Sequence, residues 1–333
     1  MATPYERQRD TGAASTTNVI GILCVVGGMA TTTLNDALIK SLSAEFALYQ
    51  IVFLRGAVAL PLVAALVLVT TGTDGFRSRQ PLLQLARALL IVGANAAFFA
   101  SLAALPLADA LATFFVAPLL ITLLSVPVLG ERLGPWRIAG TLIGLLGVVV
   151  ILQPGSAAFQ PAALLPLAAA FCYALMQLLT RRLGTTDRAS TMTFYGQLGH
   201  VITGALMGLW LGDGRFAGSD DPSLAFVLRP WVWPDASESA TLVACAVLIA
   251  AGSWLLAEAY RCAEANAAAP FEYTALPIAV LWGWLVFGEW PGPMAWLGMV
   301  LIGGGGLLVL WRESRSARRH RTNSVPSHVP PPG

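Results

Sequence analysis

The chain has 333 residues, of which 56% are hydrophobic and only 11% charged, and its net charge is +2. A soluble domain carries about 25% charged residues, so this composition excludes an ordinary water-soluble fold and points to an all-α integral membrane protein. The small net charge gives no ground for nucleic-acid binding. Three histidines and four cysteines without C-x-x-C spacing supply no metal centre, and no cofactor is expected.

Residues 1–18 are polar, lack an apolar signal-like core and read as a cytoplasmic N-terminal tail. A bilayer core needs about 20 apolar residues per helix. Scanning at that length predicts ten transmembrane helices, at 19–39, 46–69, 83–104, 107–128, 136–153, 161–180, 190–212, 239–260, 267–287 and 294–311. Connections are short except for 213–238, a long outer loop that is acidic and rich in tryptophan. Trp231, Trp233, Trp290 and Trp296 fall near predicted span ends and read as interfacial anchors. The tail 312–333 is basic, then rich in proline and serine, and reads as disordered and cytoplasmic. With the N-terminus inside, one side of the membrane collects Arg7, Arg9, Arg77, Arg79, Arg132, Arg137, Arg181, Arg182, Arg188, Arg261 and the tail arginines. The other side holds only Lys40, Arg215 and Arg229. That bias places both termini in the cytoplasm and requires an even number of spans.

One hexapeptide occurs twice, as GERLGP at 130–135 and GEWPGP at 288–293, each followed by a glycine-rich apolar run. Five spans separate the copies. A unit with an odd number of spans, repeated in tandem, enters the membrane in opposite orientations, so the reading is two inverted five-helix repeats, 19–153 and 154–311. Pro135 matches Pro293, Gly140 matches Gly298, Gly147 matches Gly305, and Lys40 aligns with Arg182. Pro118 and Pro277 lie almost in register. Proline inside a helix removes a backbone donor. Matched breaks in inverted halves mark the hinge of a site that is exposed alternately to either side.

The stretches DALATFFVAPLLITLLSVPVLGERLGPWRIAGTLIGLLGVVVIL (109–152) and ANAAAPFEYTALPIAVLWGWLVFGEWPGPMAWLGMVLIGGGGLLVLWRE (265–313) resemble the drug/metabolite transporter superfamily, EamA type. The resemblance extends over 19–313. It implies a multi-pass carrier of the bacterial inner membrane, not an enzyme, moving a small metabolite through a cavity lined largely by spans 1, 3, 4, 6, 8 and 9. The halves differ where Phe114 and Phe115 stand against Glu272 and Tyr273.

Ionisable residues inside spans are costly and mark function. Asp36, beside Asn35, is either an interfacial helix pair with Lys40 or a contact for substrate or proton. Arg87 either snorkels to the headgroups or meets substrate. Glu258 either pairs with Arg261 or couples transport to protons. Arg55, with no acid on its own helix face, reads as a structural tie, and His200 has no acidic partner that would suggest catalysis. The substrate-binding set is Asn35, Asp36, Arg87, Asn95, Phe98, Phe99, Phe114, Tyr173, Gln177, Trp254, Glu258, Tyr273 and Trp282, with Pro118 and Pro277 as hinges. Aromatic faces with a few amides suit a planar, partly polar ligand. The expected function is secondary transport of a flavin, nucleoside-like compound or amino acid by alternating access. Alternatives are a drug or metabolite efflux pump of the same fold, or a non-transporting scaffold or sensor. Its expected partners are the small-molecule substrate and the lipid bilayer, with a homodimer left open.

Overall fold

The computed structural model describes residues 4–130, 134–157, 159–184, 186–262 and 269–323. These form twelve α-helices, and no strand occurs among the described residues. They are α1 (Pro4–Leu42), α2 (Leu48–Thr71), α3 (Pro81–Leu102), α4 (Leu107–Phe114), α5 (Ala117–Leu129), α6 (Pro135–Leu152), α7 (Leu164–Leu183), α8 (Ala189–Leu211), α9 (Pro222–Leu228), α10 (Ala236–Cys262), α11 (Ala275–Phe287) and α12 (Pro293–Asn323). Six apolar helical stretches are long enough to cross a membrane, and three shorter ones fall at 138–152, 271–287 and 293–309. Large apolar side chains cover the outside of the bundle: Val69, Leu209 and Leu82 are each more than 80% exposed. Such a surface suits lipid and is untenable in water.

The repeated hexapeptide has a backbone explanation. Gly130 and Gly288 close α5 and α11 with φ of 72° and 66°, in the left-handed region that glycine enters without strain. After Gly288 the amide of Glu289 donates to the Gly283 carbonyl at 3.0 Å, and that of Gly288 to Trp284 at 3.0 Å, which satisfies the carbonyls at the helix end. The motif's proline then starts the next helix, where its missing N–H costs nothing. In the second copy the hexapeptide is thus a helix stop, a short turn and a helix start, and the first copy has the same stop at Gly130 and the same start at Pro135.

Two breaks also match. Phe115 and Val116 separate α4 from α5, and a 3-10 segment (Ala269–Thr274) precedes α11. Pro118 and Pro277 therefore lie in the first turn of their helices, where the amides have no intrahelical partner to lose. They start new helices; they do not kink continuous ones.

The pairwise packing follows the duplication. α6 packs on α12, α2 on α8, α1 on α10 and α3 on α7; α7 also meets α4 and α5, as α1 meets α11 and the 3-10 segment. The pattern is unchanged when each helix is replaced by its counterpart in the other half. In the α6–α12 seam the helices run antiparallel. A Cβ at Gly305 would lie 2.6 Å from the Gly140 carbonyl oxygen, and one at Gly147 would lie 2.8 Å from that of Gly298. Residue 140 meets the partner of 147, and 147 the partner of 140, which is the reciprocal pattern of a two-fold contact. Phe115 stacks on its own counterpart Tyr273, with ring centroids 5.5 Å apart.

The 213–238 segment contains the short helix α9, capped by the Asp221 side chain, and it is strapped to the start of α2. Tyr49 Oη donates to the Arg229 carbonyl at 2.8 Å, and Gln50 bonds both the carbonyl and the amide of Val232. Trp231 lies 5.9 Å from Phe53, with its indole nitrogen buried, so it is a packing residue; Trp233 and Trp290 keep the exposure expected of anchors.

Candidate functional site

A cavity of about 490 Å³ lies among α1, α2, α3, α4, α7, α8 and α10, with the starts of α5 and α11 and the 3-10 segment, which contributes Glu272, completing its wall. One wall is aromatic because α3 and α4 place phenylalanines on a shared face. Phe98 lies 5.9 Å from Phe99 and 5.2 Å from Phe114, and Phe114 lies 5.4 Å from Tyr173 on α7. Gln177, one helical turn from Tyr173, donates to its hydroxyl at 3.0 Å and fixes the phenol's orientation.

A polar group stands beside this wall. Asn35 Nδ2 donates to Asp36 Oδ1 at 3.2 Å, while the buried Oδ1 of Asn35 has no partner among the described residues. Arg55 on α2 holds its guanidinium 5.3 Å from the centre of the Phe99 ring. His200 Nδ1 bonds the Gly196 carbonyl at 2.9 Å. A carbonyl only accepts, so Nδ1 carries the proton and Nε2 is left to accept from Asn95 Nδ2 at 2.8 Å. Asn35, Asp36, Arg55, Asn95, His200 and Gln197 thus meet in one space.

One helical turn beyond Asp36 on α1, a polar seal joins helix ends from the two halves. Lys40 Nζ donates to Glu289 Oε1 at 2.6 Å, to Oε2 at 2.8 Å and to the Leu105 carbonyl at 2.6 Å. The Leu107 amide donates to Glu289 Oε2 at 3.1 Å, and the Phe287 ring lies 4.9 Å from Nζ. The seal joins the end of α1, the start of α4 and the second copy of the hexapeptide. Its counterpart in the first copy, Glu131, lies outside the described residues. From Asp36 the cavity extends away from the seal towards Pro118 and Leu256.

A family model described as the EamA-like transporter family matches residues 19–153 and again 160–311. The chain belongs to this family. A protein of Rhizobium johnstonii named riboflavin transporter is 33% identical over 310 residues, covering 90% of this chain and 94% of its own. A Rickettsia prowazekii protein named S-adenosylmethionine uptake transporter is 25% identical over 303 residues, covering 89% and 94%. One solved crystal structure superposes with a TM-score of 0.58 at 22% identity, over 90% of this chain and 98% of that chain, and shares the fold. The protein is therefore a small-metabolite transporter of the EamA family and a multi-pass protein of the bacterial inner membrane.

In this EamA transporter the structure brings Asn35, Asp36, Asn95, Phe98, Phe99, Phe114, Tyr173 and Pro118 to the cavity wall. Gln177 stands behind the wall and supports Tyr173. Arg87 is drawn elsewhere: its Nε donates to Thr180 Oγ1 at 2.7 Å and Nη1 to the Met192 carbonyl at 2.9 Å, which ties α3 to α7 and α8. Trp254 is 66% exposed on the outside of α10. Trp282 packs into the core with its indole N–H buried and without a partner among the described residues, and Tyr273 packs against Phe115 and Gly306. Pro277 lies off the cavity wall, and the Glu258 side chain lies outside the described residues. Asp36 does not pair with Lys40, whose ammonium turns to Glu289.

Sequence reasoning left Arg55 and His200 out of the site, because the groups that draw them into it, Phe99 and Asn95, stand on another helix. It also missed the seal, although one signal was available: Lys40 is the only lysine in a chain with nineteen arginines.

Proposed function

We propose that the chain is a secondary transporter of ten membrane helices in two inverted halves, which carries riboflavin or a flavin-like planar heteroaromatic across the inner membrane by alternating access. The observation that carries this reading is the aromatic wall of Phe98, Phe99, Phe114 and Tyr173, set beside a small polar group in a cavity of about 490 Å³. That volume is typical of a small-molecule site. Stacking on such a wall rewards a flat ring, while fixed polar groups orient its edge. The name and identity of the Rhizobium relative support the flavin.

The reciprocal glycine contacts and the packing pattern support two inverted halves. The charge distribution supports an outer position for the Lys40–Glu289 seal, and in this reading the conformation is closed outward. Transport requires the seal to part while the opposite end closes, with motion at the matched breaks before Pro118 and Pro277.

Uptake of riboflavin into proteoliposomes, with quenching of flavin fluorescence as the binding readout, tests the reading. Saturable uptake lost on Phe98→Ala with Phe114→Ala supports it. The alternative of S-adenosylmethionine transport has two observations in its favour, since the carboxylates of Asp36 and Glu272 line the cavity and aromatic faces suit a cation; the buried Arg55 opposes a second positive charge. Uptake of S-adenosylmethionine without uptake of riboflavin overturns the flavin reading. Riboflavin uptake that survives loss of both phenylalanines removes the aromatic wall from the mechanism.

A further inference from the structure

Arg55 is only 7% exposed, yet no hydrogen-bond acceptor for its guanidinium occurs among the described residues. A guanidinium has five N–H donors, and leaving them unmade away from water is expensive. The Phe99 ring covers one face of the ion and offsets part of that cost, but a ring face does not substitute for in-plane acceptors. Asp36 is the complement. Its carboxylate accepts a single hydrogen bond, from Asn35, although two oxygens accept about four. The two groups feel each other's charge and line one cavity, but they form no direct ion pair. An acid and a base on neighbouring helices, both short of partners and facing a common space, are set up to be bridged by what enters it.

We infer that Arg55 and Asp36 read one edge of the substrate's ring system, the guanidinium donating to a ring carbonyl and the carboxylate accepting from the adjacent ring N–H. The ligand class this selects is a neutral planar heterocycle with a carbonyl–NH–carbonyl edge, the imide found in flavins and pyrimidinediones. Arg55 cannot accept and ionised Asp36 cannot donate, so together they demand an acceptor beside a donor. The Phe99 ring under the guanidinium, continuous with Phe98 and Phe114, places the stacking surface next to these edge contacts. A ring that stacks there can put its edge into the polar group with the same placement. This inference rests on the flavin reading above and specifies which atoms of the ring are recognised.

The test compares riboflavin with its N3-methyl derivative, in which the imide N–H is replaced, on the purified protein in detergent. Binding is read by flavin fluorescence, with S-adenosylmethionine and methionine as further ligands. Wild-type protein should bind the N3-methyl compound roughly 10–100-fold more weakly, the range for leaving a buried polar group unpaired. Asp36→Ala, which removes the acceptor, should erase most of that discrimination. Arg55→Met should weaken riboflavin by a similar factor while leaving the ligand-free melting temperature unchanged or raised, because it removes an unsatisfied charge. A melting temperature that falls in Arg55→Met, with discrimination intact, assigns Arg55 a structural role and overturns the inference. Equal binding of both flavins by wild-type protein overturns it too, while leaving flavin transport standing. Binding of S-adenosylmethionine or methionine with no flavin binding overturns both, because an amino-acid head would then be the group that bridges Arg55 and Asp36.

Discussion

In the seam, Gly140 meets Gly305 and Gly147 meets Gly298, so each half offers the other the same surface. At the cavity the corresponding positions diverge: one half presents Phe114 and Phe115, the other Glu272, while Tyr273 packs behind against Phe115. The seam is a contact between backbones, and backbone atoms are the same in every residue. Once two helices approach within reach of each other's carbonyls, both copies must keep glycine. The cavity wall is made of side chains that do not touch the opposite backbone, so nothing in the packing holds them alike. Duplication thus preserved the scaffold while the site diverged between the halves.

The largest effects should come from breaking the seam. Gly305→Val puts a side chain where a Cβ already lies 2.6 Å from the Gly140 carbonyl, and overpacking of this kind costs about 1–3 kcal/mol or more. Thermal unfolding in detergent should show a large fall. Gly304→Ala is the internal contrast, because nothing lies within 4 Å of its Cβ; it should be neutral or slightly stabilising. Equal damage from both would show that the seam is not defined by close approach.

The seal should come next. Lys40→Ala leaves Glu289 without its cation but with the Leu107 amide, an expected loss of about 1–3 kcal/mol after allowing for the partial exposure of the carboxylate. Glu289→Gln should raise labelling of a cysteine placed at Asn35 by a membrane-impermeant thiol reagent added outside. If the halves are mechanically equivalent, Glu131→Gln should lower that labelling. Unchanged labelling in Glu289→Gln would mean that the ion pair does not gate the cavity.

Away from the membrane, Asp187 clasps two connections together. Burial alone would raise its carboxyl, but hydrogen bonds from Ser78, the Arg79 amide, Gln84 and Thr186 outweigh it and hold the group below the ordinary aspartate range. The resulting stability is present above the ordinary value and is lost as pH falls through the depressed one. Asp187→Asn should cost about 1.5–3 kcal/mol at neutral pH, and its melting temperature should approach that of wild-type protein as pH falls below the ordinary aspartate value and through the depressed one.

The smallest effect belongs to Glu45, whose carboxyl is raised by a shared hydrogen bond with Glu238. Its contribution is present at low pH and fades as pH rises through the raised value. Glu45→Gln should remove that slight slope from the melting temperature. A slope that persists unchanged places its origin elsewhere.

Much of the site was legible because some of its logic is local. Phe98, Phe99, Phe114, Asn95 and Asp36 reach the cavity because helical spacing and polarity inside an apolar run identify an inward face. Trp254 carries the same local signals, yet it is 66% exposed on the outside of its helix. Periodicity gives the relative angle between residues on one helix and not the rotation of that helix in the bundle. Arg87 was ambiguous for a related reason: its acceptors, Thr180 and the Met192 carbonyl, come from two other helices.

Composition by itself determined the solvent, since so few charges cannot cover a surface in water. The doubled hexapeptide and its following glycines determined the two-part plan, because left-handed turns and close backbone contacts accept few residues and leave a readable mark. Only the tertiary structure decided the partners. Lys40 and Glu289 are 249 residues apart, and Asn95 and His200 are 105 apart. Separations of that size carry no period, and what joins such groups is the crossing of helices that bury apolar faces against one another.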